Sequence, residues 1–105
     1  TIIVQTYAYS MGGIILMAGY NNPNVKKVCY KHSTALLHAG STYLEGNSSS
    51  VKDQFHFNQK FEQKLKDYTL SHSNITEEEY NAMERYEWYM DSDTMLEKGL
   101  VDEIL

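Results

Sequence analysis

The stretch Ala8-Tyr9-Ser10-Met11-Gly12-Gly13-Ile14-Ile15-Leu16-Met17-Ala18-Gly19-Tyr20 decides how the chain is read. It sets one serine between a short strand-like pattern and an apolar run opened by two glycines. From Met11 to Ala18 there is no polar face, and a helix apolar on every side belongs inside a protein layer. Gly19 closes it. The run is too short for a bilayer, whose core takes about 20 residues to cross. It also lacks the preceding basic segment of a signal peptide.

Outward from that helix, Thr1 to Gln5 is rich in β-branched residues and is expected to form a buried strand. Asn21 to Asn24 is a turn by its Asn and Pro chemistry, Val25 to Tyr30 a second strand, and Ala35 to Leu37 a third that leads into His38. Strand, helix, strand in this order predicts an α/β domain with parallel pairing. Gly40 to Ser50 loses apolar periodicity and is expected to be a loop or an extended arm. Beyond it, Val51, Phe55, Asn58, Phe61, Leu65 and Tyr68 recur at three- and four-residue steps, the stripe of a long helix. Thr76 with Glu79 reads as a capping box, and Asp91 as the N-cap of a last helix running to Lys98 and stopped by Gly99. The closing Leu100 to Leu105 is expected as a strand or a core-packed tail.

Composition bounds the partners. A chain of 105 residues, 42% hydrophobic, suits one small soluble domain. The formal net charge of −5 and the lack of a basic stripe argue against nucleic acid. No segment is long and apolar enough to suggest a membrane partner. The single cysteine, Cys29, closes no internal disulfide, so a reducing compartment is expected, the cytoplasm, with Cys29 a small buried hydrophobe. The chain opens on Thr1 within a strand-like pattern and is expected to be part of a longer polypeptide.

Ser10 admits two readings. Serine is among the commonest helix N-caps. A hydroxyl on a tight strand-to-helix turn is also the arrangement of a nucleophile elbow, where the helix amides behind it favour a developing oxyanion. Four histidines could supply the base. His56 and His72 lie in the charged helical region and are expected to be solvated, and His32 lies in a turn. His38 follows a strand end, where α/β scaffolds deliver catalytic side chains, although a buried structural histidine is equally compatible with that position. Cys29, His32 and His38 lack the further ligand that a metal-binding spacing requires, so no metal is expected.

Three motifs in register, SMGGIILMAG from Ser10, HSTALLHAG from His32 and GLVDEIL from Gly99, resemble the Clp family of ATP-dependent serine peptidases. The resemblance covers the whole chain, matching roughly the last three-fifths of such a subunit. It implies a crotonase-like fold of repeated β-β-α units, a long handle helix, and a C-terminal helix and strand. It implies Ser10 as nucleophile, His38 as general base and Glu87 at the position of the triad acid, where the family usually carries Asp; Glu84, Asp91 and Asp93 are rivals for that role, Asp91 being better explained as a helix N-cap and Asp93 as a first-turn acid favoured by the helix dipole. The Met11 amide falls at one oxyanion donor. Ala39, Gly40, Ser41 and Thr42 fall on the arm that pairs with a peptide or unfolded-protein substrate. The Gly-Gly segment that gives the family its second oxyanion donor would precede Thr1, and losing one such donor costs about a hundred- to a thousandfold in turnover.

The family also implies a homo-oligomeric ring meeting a second ring through the handle helix. It needs no cofactor, and any ATP is spent by a partner unfoldase. Tyr9, in place of the small residue that usually precedes the serine, and Ala39-Gly40 after His38 depart from the pattern. The competing classes are a catalytically silent ring subunit and a crotonase-fold acyl-CoA enzyme. The latter has no use for a serine on this elbow.

Overall fold

The computed structural model describes residues 1–9, 11–38, 45–83 and 87–105. Their architecture is mixed α/β, with six short strands in two three-stranded sheets and four helices. The first sheet is parallel throughout, in the order β1 (Ile2–Val4), β3 (Lys27–Cys29) and β6 (Glu103–Ile104). The second takes β2 (Tyr7–Tyr9), β4 (Thr34–Leu37) and β5 (Trp88–Met90), with β2 parallel and β5 antiparallel to β4. Each sheet receives one strand from each repeat of the chain. β1 and β2 are followed by α1 (Met11–Met17), and β3 and β4 by α2 (Ser48–Ser71), so the expected β-β-α units are present.

The strand expected over Thr1 to Gln5 is β1 and the strand-like pattern before Ser10 is β2, the two separated at Gln5 and Thr6. The reason lies across the sheet. Ser33, 1% exposed, donates its hydroxyl to the carbonyls of Val4 (2.8 Å) and Gln5 (3.0 Å) and accepts from the Tyr30 amide at 3.1 Å. One side chain thereby ties together the backbone where both repeats pass from the first sheet to the second, adding to the Tyr30 amide that itself donates to the Val4 carbonyl at 3.1 Å.

The core joins the two sheets. Val4, Leu16, Met17, Cys29, Ala35, Leu37, Met90, Met95, Leu100 and Val101 form one buried cluster, with Ile75 and Met83 at its helical side. Cys29 is buried as expected. Lys27 is fully buried in β3 beside this layer. Its ammonium donates to the Gly99 carbonyl at 3.0 Å and lies 5.6 Å from the centre of the Tyr20 ring, while its amide donates to Asp102 Oδ2 at 2.9 Å. Burial pulls the Lys27 pKa down, with the Asp102 charge opposing it.

Helix ends follow local chemistry. Asn47 caps α2 through Ser50 N, starting that helix three residues before the expected Val51. Thr76 and Glu79 make the expected capping box of α3 (Glu77–Ala82), and Asp91 caps α4 (Ser92–Glu97) through Thr94 N. Gly99, at φ 76°, turns the chain out of α4 in the left-handed conformation that favours glycine.

Two helical faces differ from expectation. α1 buries Gly13, Leu16 and Met17, but Met11 and Ile15 are 58% and 59% exposed, so the layer around it is incomplete within this chain. α2 is 24 residues long, about 36 Å at 1.5 Å per residue, and Thr69 is its buried residue among the described ones. Phe55 and Phe61 of the expected stripe are about half exposed. The helix projects beyond the body of the molecule, whose extents are 52 × 25 × 23 Å.

Candidate active site

The second sheet brings three chain segments to one edge. β2 runs parallel to β4, with Tyr9 opposite Leu36. β5 runs antiparallel to β4, with Ala35, Leu36 and Leu37 opposite Met90, Tyr89 and Trp88. His38 follows Leu37 directly at the end of β4, and Glu87 precedes Trp88 directly at the start of β5. At the same edge β2 ends at Tyr9 and α1 opens at Met11. Ser10, between them, lies outside the described residues, as do Ala39, Gly40, Ser41 and Thr42.

His38 is half-buried at the end of β4. It shares with Met11, Leu37, Leu65, Tyr80 and Met83 the lining of a recess of about 240 Å³ between α1, β4, α2 and α3. Met11 is the first residue of α1, so its amide is one of the four at a helix start that lack an intrahelical acceptor. The close fit of α1 on β4 depends on Gly13. A β-carbon there would stand 2.9 Å from Leu37 Cδ2 and 3.6 Å from the carbonyl oxygens of Ala8 and Leu36.

Glu87 is exposed, immediately before β5. Its Oε2 accepts a hydrogen bond from the Tyr89 hydroxyl at 3.0 Å. Residues two apart in an extended chain share a face, which brings the two side chains within reach of each other. The hydrogen bond to the carboxylate, and then its charge, push the Tyr89 phenol up in pKa and keep it a donor. The Tyr89 ring meets Tyr9 edge-on, centroids 6.1 Å apart at 83°, and Tyr9 lies 4.7 Å from Tyr7. This aromatic row has no counterpart in the sequence reading, although Tyr7 and Tyr9 stand two residues apart in one strand.

The other candidates occupy different surroundings. Asp91 is committed to its cap, and the Thr94 amide holds its carboxyl below the usual range. His32 and His56 are exposed. His72, expected to be solvated, is instead the C-cap of α2, stacked on Tyr68 with centroids 4.1 Å apart and its Nδ1 2.9 Å from the Tyr68 carbonyl. The same carbonyl accepts the His72 backbone amide at 2.9 Å and the Ser71 hydroxyl at 3.1 Å, so the imidazole joins a cap already made.

A strand-end histidine and a glycine-opened helix are set here on two sheets built from β-β-α repeats, a mixed α/β architecture. The chain belongs to the Clp protease family, whose model matches residues 1–105. It is similar to the ATP-dependent Clp protease proteolytic subunit of Deinococcus radiodurans, 29% identical over 99 residues, covering 93% of this chain and 47% of that protein. The chain thus spans about half the length of the curated relative it matches. Among the described residues no helix is long and apolar enough to cross a membrane.

Proposed function

We propose that this chain forms the catalytic part of a serine endopeptidase, with Ser10 as nucleophile, His38 as general base and Glu87 as the acid that orients it. What supports the reading is the Leu37–Trp88 pair that closes the β4–β5 register, since His38 and Glu87 are the next residues along each segment, at the end of the sheet where β2 gives way to α1. The family match and the Deinococcus radiodurans relative support peptide-bond hydrolysis.

In this mechanism His38 takes the Ser10 hydroxyl proton as the oxygen attacks the substrate carbonyl. The tetrahedral oxyanion is met by the Met11 amide and by a second donor from elsewhere in the full protein. His38 then returns the proton to the departing amine, leaving an acyl-serine that water hydrolyses by the same sequence. Glu87 fixes the imidazole tautomer and stabilises its protonated form. Residues Ala39 to Thr42 pair with the extended substrate, and the apolar recess beside His38 accepts a substrate side chain.

The whole protein works as a homo-oligomeric chamber in the cytoplasm, needs no metal or cofactor, and receives unfolded chains from a partner that spends ATP. Residues 1–105 form a single domain of its subunit. Labelling the full-length protein with a serine-directed fluorophosphonate tests the reading. Ser10→Ala should abolish labelling and peptide cleavage together, whereas undiminished labelling would remove Ser10 from the mechanism.

A further inference from the structure

Two departures from the family pattern, Tyr9 before the nucleophile position and glutamate at the acid position, meet in the structure through a third residue. Tyr89 touches both. Its hydroxyl donates to Glu87 Oε2 at 3.0 Å, and its ring stands edge-on to Tyr9 at 6.1 Å. Resting on the triad reading above, we propose that Tyr89 is the positioning residue for Glu87, fixing through its hydroxyl the carboxylate that orients His38, and that Tyr9 braces the Tyr89 ring.

The need for such a residue follows from side-chain chemistry. Glutamate has one more methylene than aspartate, hence one more rotatable bond between backbone and carboxylate, and an exposed glutamate samples several rotamers. A carboxylate that orients a base must hold one of them. The hydroxyl two residues along the same strand face supplies a fixed anchor for one oxygen, leaving the other oxygen to accept from imidazole.

The anchor is itself restrained. Tyr89 is 58% exposed and has little burial to hold it, but Leu36, 8% exposed, lies opposite it in the ladder, and Leu36 pairs in turn with Tyr9 on its other side. Tyr7 continues the row at 4.7 Å. Three tyrosines on one face of β2 and β5 thereby flank the strand that ends in His38. With its pKa raised by the carboxylate, the phenol remains a donor throughout the range in which a histidine base operates.

The test is a double-mutant cycle on the full-length protein, read by kcat and KM for a fluorogenic peptide. Tyr89→Phe keeps the ring and removes the hydroxyl. It should lower kcat about ten- to a hundredfold, the weight of one hydrogen bond to a charged group, with KM unchanged and thermal stability retained. In a Glu87→Gln background the same change should have no further effect, because the carboxylate it positions is gone.

A Tyr89→Phe protein with undiminished kcat, when Glu87→Gln alone is damaging, would overturn the positioning role and leave the triad standing. Losses that multiply across the two changes would also overturn it, placing the hydroxyl's effect elsewhere. A Glu87→Gln protein of full activity would instead overturn the acid assignment, and the role of Tyr89 would fall with it.

Discussion

Gly13 in α1 lies against Leu37, the residue that precedes the candidate base, with 2.9 Å between the place of a β-carbon and Leu37 Cδ2. Leu37 is 4% exposed and cannot swing away into solvent. Gly13→Ala should therefore push α1 from β4, costing about 1–3 kcal/mol of stability. It should also lower peptide cleavage by moving Met11 relative to His38. Gly12→Ala is the contrast. A β-carbon there meets Ala8 Cβ at an ordinary 3.8 Å, so the substitution should be tolerated or gain about 0.4–1 kcal/mol from reduced chain entropy. Denaturant unfolding of both variants checks the pair.

Glu87→Gln should leave the fold intact and reduce turnover sharply. The amide keeps the shape but not the charge that stabilises imidazolium, and the comparable change in a serine protease triad costs about ten-thousand-fold. Asp91→Asn should do far less, since asparagine caps a helix almost as well as aspartate and Asp91 already serves Thr94. A larger loss at Asp91 than at Glu87 in steady-state kinetics would reverse the assignment.

Acid should loosen the junction of α3 and α4. The Lys98 ammonium, then the Thr76 backbone, holds the Glu79 carboxyl below its usual value of 4.5. A depressed folded-state pKa means stability that is present above the unfolded value and is lost as pH falls through the folded one. Lys98 is raised by the same pair, so its contribution is present below its usual 10.5 and is lost as pH rises through its higher folded value. Melting temperatures should thus decline below about pH 4.5, and Glu79→Gln should flatten that decline. An unchanged acid limb in the variant would show that Glu79 is not its source.

The exposed aromatics of α2 should govern association. Phe55, Phe57 and Phe61 are 50%, 68% and 48% exposed, and with Ile15 and Met11 on α1 they leave more apolar surface than a monomer of this size usually carries. Residues 1–105 produced alone should self-associate in light scattering, and Phe55→Ser with Phe61→Ser should shift the mass distribution downward. A monodisperse monomer with strong hydrogen-exchange protection at residues 14–18 would contradict this.

What was legible in the sequence was local. The capping box at Thr76 and Glu79 and the Asp91 cap are fixed by residues three apart, so their chemistry is visible without the fold. The parallel order of the strands follows from strand and helix alternation. β5 was missed because Trp88 to Met90 is three residues with no period of its own, and it becomes a strand through the edge that β4 offers. The role of Ser33 was invisible for the same reason, since the carbonyls it serves lie 28 and 29 residues away. For the candidate site, His38 and Glu87 could be named from the family pattern, but the Tyr89 contact depends on a rotamer and a ladder that no spacing encodes.

Lys27 gives the chain a timetable. Its ammonium is matched by a carbonyl 72 residues further along the sequence and its amide by a carboxylate 75 residues along. During synthesis at about 5–20 residues per second, those partners emerge about 4–15 s after Lys27 itself. Until then β3 has β1 on one side and an open edge on the other, with a charge that resists dehydration. A nascent chain arrested before residue 99 should therefore remain unfolded around β3, sensitive to protease, and acquire protection there once Gly99 and Asp102 have emerged.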